Sequence, residues 1–154
     1  MIEIIWDLGP EVALHCVDDA VTGNSYVYTS SDVPNFAEAY LHPAEEEIET
    51  WSVGELIREV DRATDPVQRG KAIVRMAIAA SYETDEEVAR RMSEALRSDD
   101  YALRDLTLWA MSICSYPVFR PLLRDIARSD SSEVLRQRAQ MLLEAYDGAG
   151  VEES

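Results

Sequence analysis

The chain has 154 residues, 47% of them hydrophobic, and its 30 acidic and 14 basic residues give a formal net charge of −16. A chain of this size buries a core without help from disulfides or metals, and its charge repels nucleic acid and anionic lipid while attracting cations. We therefore expect no direct binding to nucleic acid or membranes. Because the first residues lack the basic and apolar stretches of a secretory leader, we also expect a cytoplasmic location.

The negative charge is concentrated in the first third of the chain. Residues 1–57 contain twelve acidic residues and no lysine or arginine. The same region holds half of the aromatic residues, namely Trp6, Tyr26, Tyr28, Phe36, Tyr40 and Trp51. Aromatic rings among carboxylates are typical of interfaces that hold a basic protein, because the rings supply buried area and the charges guide association. The alternative is that these rings pack a cap onto the rest of the chain.

Local patterns in residues 1–50 predict an irregular, mainly helical segment. Apolar residues at helical spacing predict a helix from Pro10 to Ala20. Gly23-Asn24 is suited to a tight turn, and residues 25–31 have the β-branched and aromatic content of a short extended segment. A second short helix is expected from Asn35 to about Tyr40.

From Ser52 onwards, the sequence predicts pairs of antiparallel helices. Ser52 and Glu55 form a capping-box pattern, and Asp65-Pro66 supplies the cap and the first residue of the next helix. Thr84, three residues before Glu87, predicts the cap of another helix. Pro117 interrupts the chain before the third pair, because proline cannot continue the preceding helix.

One unit recurs three times in this region. An arginine follows a capping residue by four positions, and the arginines are 35 and 32 residues apart: Asp65 with Arg69, Asp100 with Arg104, and Ser132 with Arg136. Such a period predicts three stacked helical hairpins over residues 52–146. We expect the three arginines to bond to aspartates of adjacent repeats and to serve the scaffold, so none is a predicted site residue.

This pattern resembles the HEAT repeat family, in which the second helix of each hairpin begins after an aspartate-containing turn, with a Val-x-Arg or Val-Arg step followed by a small residue. The matching residues are Asp65, Val67, Arg69 and Ala72, then Asp100, Leu103, Arg104 and Thr107, then Asp130, Val134, Arg136 and Ala139. The family's proline in the first helix of a hairpin is present only in the third pair, as Pro117 and Pro121.

The resemblance implies an all-α fold, a short right-handed α-solenoid of about three HEAT-like helical hairpins. In this organisation residues 1–50 form an acidic capping segment, residues 51–147 the repeats, and residues 148–154 a flexible tail. Such stacks are more often binding surfaces than catalysts.

Candidate catalytic and metal-binding groups are few. The chain has two histidines, and a metal set of His15, Cys16, Asp19 and His42 has the right ligand types but matches no known spacing. Cys16 and Cys114 are expected to be free thiols that are buried or half-buried. We therefore predict a protein that is not an enzyme and that has no cofactor or metal.

The leading hypothesis is an immunity protein or antitoxin, a monomer that binds a basic toxin one-to-one and blocks its cationic site. The predicted partner-binding residues are Asp18, Asp19, Tyr26, Tyr28, Asp32, Glu38, Glu45, Glu46, Glu47 and Glu49. One alternative is a scaffold or adaptor that binds through the second helices of the hairpins, using Arg75, Asp105, Trp109 and Arg138. Another is a phage protein that mimics nucleic acid.

Overall fold

The structure is a computed structural model that describes residues 1–33, 36–80 and 83–152, without the side chains of Glu38, His42 and residues 44–46. The chain divides into two compact units, Met1–Trp51 and Ser52–Ser154, which we call the N-terminal unit and the helical unit. The prediction of an all-α fold is wrong, because the N-terminal unit contains a β-sheet.

The sheet has three antiparallel strands in the order β1-β2-β3. The strands are β1 (Ile2–Gly9), β2 (Val12–Asp19) and β3 (Asn24–Ser31). The predicted helix from Pro10 to Ala20 is therefore wrong, and so is the expectation of a mainly helical cap. Residues 12–17 are apolar at nearly every position, so their pattern fits a helix and a strand equally well, and pairing with two neighbouring strands decides between them.

Both turns of the sheet require unusual backbone angles. Glu11 has a φ of 73° and Gly9 a φ of 146° at the first turn, where the register also shifts between Asp7 and Gly9. The second turn passes through Gly23, whose φ is 68°, at the position where the sequence predicts a tight turn. The extended segment predicted at residues 25–31 is confirmed as β3.

The helix α1 (Phe36–Glu47) follows β3 and lies against β2 and β3. The hydroxyl of Thr29 donates a hydrogen bond of 2.5 Å to the backbone carbonyl of Ala37, which joins the sheet to the start of this helix. The helix was predicted to end near Tyr40, but it continues through Pro43. An interior proline removes one backbone hydrogen bond and strains a helix, which is why the sequence favours an end before Pro43, but α1 packs against β2 and β3 and continues past it.

The helical unit contains the three predicted hairpins. Ser52, Asp65, Asp100 and Ser132 are confirmed as N-caps, and Ser52 with Glu55 forms the predicted capping box. The cap of α4 is Asp85 rather than Thr84, because the Asp85 carboxylate accepts from the backbone N–H groups of Glu87 and Val88. The helices are α2 (Val53–Arg62), α3 (Pro66–Ala79), α4 (Glu86–Leu96), α5 (Tyr101–Ile113), α6 (Arg120–Ser129), preceded by a 3₁₀ turn, and α7 (Glu133–Gly148).

The core of the helical unit is continuous across the hairpins and includes Ile73, Met76, Met92, Phe119 and Leu135, all fully buried. Helix α3 approaches α5 closely at Gly70, where an added Cβ would lie 2.5 Å from Cδ1 and 2.8 Å from Cβ of Leu106.

The two thiols are free, with Cys114 buried and Cys16 half-buried, as predicted. Burial raises the pKa of Cys114 to about 12, so this thiol is a core group rather than a nucleophile.

Among the described residues, Arg104 alone of the three repeated arginines forms the expected side-chain bond to an aspartate of the adjacent repeat. Arg104 donates to both carboxylate oxygens of Asp130 in the next turn, at 2.9 and 3.2 Å, and to the carbonyl of Ser98 at 2.8 Å. Arg136 donates to the backbone carbonyl of Asp130, as Arg104 does to that of Ser98. In the described part of the chain, the buried Nε of Arg69 has no hydrogen-bond partner.

Part of the predicted flexible tail over residues 148–154 contacts the helical unit, while residues 153 and 154 lie outside the described part of the chain. Helix α7 includes Gly148, and Val151 packs against the core. The carbonyl of Val151 accepts a hydrogen bond from Arg120 at 2.9 Å, and its N–H donates to the carbonyl of Tyr146.

Candidate protein-binding site

The strand register assigns the side chains of the sheet to two faces. Trp6, Leu14 and Thr29 form one row across the three strands, and the bond from Thr29 to Ala37 shows that α1 covers their side of the sheet. We call this the α1 face. The other side, the His15 face, contains a row formed by Ile5, His15 and Tyr28.

On the α1 face, the apolar side chains of β1 are much more exposed than Leu14 of β2. Leu14 in the central strand is 8% exposed, whereas Ile2, Ile4 and Trp6 of β1 are 67%, 52% and 45% exposed. We call these three side chains the β1 strip. They lie at alternating positions on an edge strand, next to an apolar layer that α1 buries over β2. Exposed apolar groups that continue a buried layer are typical of an interaction surface.

Four residues of the His15 face are joined by hydrogen bonds. The ring nitrogens of His15 lie 2.8 Å from Oε1 of Glu3 and 2.8 Å from the hydroxyl of Ser30, and Tyr28 donates to the same Glu3 oxygen at 3.0 Å. The His15 and Tyr28 rings are stacked, with centroids 4.3 Å apart. The bonds from His15 and then Tyr28 hold the pKa of Glu3 below its usual value of 4.5.

The order serine, histidine, carboxylate in this group is that of a hydrolytic triad, but its surroundings oppose that chemistry. Ser30 borders a shallow depression of about 450 Å³ that Asp7, Glu11 and Asp32 also line. Acyl transfer through Ser30 would develop a negative charge there, and these carboxylates would destabilise it. The four residues form a hydrogen-bonded polar patch on this face of the sheet.

The predicted binding residues do not form one cluster. Asp18 and Asp19 lie at the end of β2, beside the start of β3. Asp32 lies just after the end of β3, so about 20 Å of strand separates it from the two aspartates. The Asp19 carboxylate accepts from the backbone of Val21 and from Thr22, and the Val21 bond is the largest cause of its lowered pKa. Asp19 therefore stabilises the second turn.

The remaining predicted residues have varied positions. Tyr26 and Tyr28 are neighbours on the His15 face, with ring centroids 6.5 Å apart. Glu47 ends α1 and Glu49 follows it, both exposed. The side chains of Glu38, Glu45 and Glu46 are on α1 but lie outside the described part of the structure.

The metal set suggested by residue type does not converge. His15 and Asp19 are on the His15 face, whereas Cys16 is on the α1 face. The side chain of His42 lies outside the described residues. Among the side chains that the structure does describe, no group of three or more histidines, cysteines or carboxylates is placed to hold a metal ion.

Sequence reasoning missed the β1 strip and the polar group around His15. The signal for the strip was present, since Ile2, Ile4 and Trp6 alternate with Glu3 and Asp7, but Ile5 interrupts the pattern. The polar group had no sequence signal, because Glu3, His15 and Ser30 belong to three strands and meet only in this register.

In the helical unit, the charged residues considered for an adaptor already have partners. Arg75 binds Glu59, and Arg138 binds Asp105. The nearby guanidinium of Arg91 binds Asp61 at 2.7 Å and keeps the pKa of that carboxyl low. Trp109 packs against the core. Ion pairs between neighbouring helices explain these residues without a ligand.

No family model, curated protein or solved structure matches this chain. The described helices include none that is both long and apolar enough to cross a bilayer.

Proposed function

We propose that this protein is a non-catalytic inhibitor that binds one basic protein and covers its cationic site, as an immunity protein or antitoxin does to a toxin. The observation that carries the proposal is the exposed β1 strip. Its strand also contains Glu3 and Asp7, and the N-terminal unit has no lysine or arginine. An exposed apolar strip supplies buried area on binding, and carboxylates around it select a cationic partner.

The acidic residues support this function even though they form no cluster. A net charge of −16, with every lysine and arginine at position 58 or later, gives the N-terminal unit a field of one sign. Such a field acts over about 10 Å at moderate salt, so it accelerates the approach of a cationic protein from many directions. Contacts made by the apolar strip then slow the dissociation of the complex.

A toxin that acts on nucleic acid is the partner class that fits this surface best. Such an enzyme contacts several phosphates and therefore has a cationic cleft. An acidic protein that fills the cleft blocks the substrate by occupying its site. In this proposal the inhibitor is a cytoplasmic monomer that binds its partner one-to-one.

The test is affinity capture of the tagged protein from its native cells, at low and at moderate salt, followed by mass spectrometry. We expect one basic protein in equal amount, retained at moderate salt. Retention of nothing would contradict the proposal. Capture of many proteins that are all lost as salt rises would instead indicate a mimic of nucleic acid.

The role of charge is tested by replacing Glu38, Glu45, Glu46 and Glu47 with lysine. We expect slower association with the captured partner and loss of most of its salt dependence. The matched control makes the same change in net charge at exposed acids of the helical unit, namely Glu86, Glu133, Glu144 and Glu152. Equal effects of the two variants would show that association depends on total charge and not on the N-terminal unit.

A further inference from the structure

We propose that the partner binds by adding a strand to the free edge of β1, and that this strand alternates apolar with basic residues. The inference rests on the proposed function and specifies its contact. β1 is the first of three strands in sheet order, so one side of its backbone faces away from β2. About half of its N–H and C=O groups are therefore directed outwards and are available to another chain.

The α1 face determines one half of the partner's pattern. Side chains of an added strand would lie next to Ile2, Ile4 and Trp6 on that face, because opposed residues of paired strands share a face. These three side chains are about half exposed or more and continue the layer that includes Leu14. Apolar residues at alternate positions of the added strand would complete this layer.

The His15 face determines the other half. On this side of β1 the added strand would meet Glu3, Ile5 and Asp7. Glu3 is held in place by His15 and Tyr28, and Asp7 accepts from the N–H of Gly9 at 2.9 Å, so both carboxylates have defined positions. Lysine or arginine at the intervening positions would pair with them across the strands.

Charge disfavours a second copy of this chain at the same edge. Two β1 strands paired antiparallel about Ile5 would place Glu3 opposite Asp7 twice, and like charges opposite each other destabilise a strand pair. Each copy would also bring a net charge of −16. The other edge strand is less suitable, because on the α1 face β3 offers three hydroxyl side chains, Ser25, Thr29 and Ser31, and one apolar side chain, Val27.

The probe for this proposal is an octapeptide in which lysine and valine alternate. The control peptide has the same composition, with all lysines before all valines, so both have equal charge. Titration calorimetry with the full chain should give about tenfold tighter binding of the alternating peptide, since only this order places each residue type on its own face. Equal affinities would overturn the proposal.

Hydrogen exchange locates the bound peptide. Strand addition should slow exchange at every second amide of β1, because only alternate N–H groups face outwards and gain a partner. Protection confined to the helical unit, or spread over consecutive residues of α1, would contradict strand addition.

A pair of variants tests the β1 strip without changing charge. Ile4→Thr should weaken the alternating peptide about tenfold, because it removes apolar area and keeps a β-branched side chain. Val21→Thr is the matched control, since Val21 is 76% exposed and belongs to the turn between β2 and β3 rather than to β1, so this change should leave the affinity unchanged. Equal effects of both variants would exclude the strip.

The two proposals fail separately. If affinity capture yields a basic partner but the two peptides bind equally, strand addition is wrong and the inhibitor function stands. If the alternating peptide protects β1 but no basic protein is captured, β1 accepts strands and the inhibitor function is wrong.

Discussion

Arg104 and Asp130 join the second and third hairpins through a buried ion pair. Their side chains are 9% and 4% exposed, and the contact between them is bidentate. Removal of one partner leaves the other charge buried without compensation, which costs more free energy than the pair itself contributes. Arg69 occupies the equivalent place in the first hairpin, and its Nε lacks this support in the described structure.

We predict that Asp130→Ala lowers the free energy of unfolding by about 3 kcal/mol, because Arg104 keeps its buried position and loses both carboxylate bonds. Urea denaturation followed by circular dichroism measures the change. Asp125→Ala is the control, since Asp125 pairs with Arg128 where the side chains are 64% and 75% exposed. Such a pair contributes at most about 1 kcal/mol, so equal losses would contradict the buried pair.

The Glu3 carboxyl provides a prediction about pH. Hydrogen bonds from His15 and Tyr28 lower its pKa in the folded chain below 4.5. A group whose pKa is lowered by folding stabilises the fold above its unfolded pKa, and this contribution is lost as the pH falls through the folded value. Titration by NMR should therefore give a pKa below 4.5 for Glu3.

Tyr28→Phe isolates the second of these bonds. The variant removes the hydroxyl that donates to Glu3 and keeps the aromatic ring that stacks on His15, so the pKa of Glu3 should rise part of the way towards 4.5. An unchanged pKa would show that Tyr28 does not bond to Glu3 in solution.

At the scale of elements, α3 and α5 approach closely because position 70 has no side chain. An added Cβ at Gly70 would lie within 3 Å of Leu106, and one of the two atoms it meets is the Leu106 Cβ, which moves only with its backbone. Overpacking of a tight core typically costs 1–3 kcal/mol, whereas glycine to alanine at an open helical position stabilises.

We predict that Gly70→Ala lowers the unfolding free energy by about 2 kcal/mol. Gly54→Ala is the matched control, because Gly54 is also helical and its added Cβ would meet nothing within 4 Å. That variant should raise the stability by about 0.5 kcal/mol. The melting temperatures of the two proteins should move in opposite directions, and a rise in both would contradict the close approach of α3 to α5.

The sequence predicts the helical elements better than the strands for a physical reason. Helix starts depend on local chemistry, so the caps at Ser52 and Asp65 were readable within four residues. A strand depends on partners that are distant in sequence, as β2 shows at Leu14, which lies opposite Trp6 of β1 and Thr29 of β3. The candidate site depends on strand pairing in the same way. The acidic composition was evident from the sequence, but the distance between Asp19 and Asp32 follows from the pairing of the strands and could not be predicted.

At the scale of the whole molecule, the two units differ in the size of their cores. Among the described residues, the N-terminal unit buries three apolar side chains, Val12, Leu14 and Val17, whereas the helical unit buries twenty-four. Hydrophobic burial is the main favourable term in folding, and a segment of about 50 residues is marginal by itself. The N-terminal unit should therefore open at a lower free energy than the helical unit.

We predict that native-state hydrogen exchange separates the two units, with β2 amides exchanging through openings of lower free energy than amides of α3 and α5. A ligand that binds only the folded N-terminal unit stabilises that unit by mass action, by about 2.7 kcal/mol at a concentration one hundred times its dissociation constant. Saturation with the basic partner should therefore raise the opening free energy of the sheet and leave α5 unchanged. A rise in α5 alone would place the partner on the helices and contradict a binding site on β1.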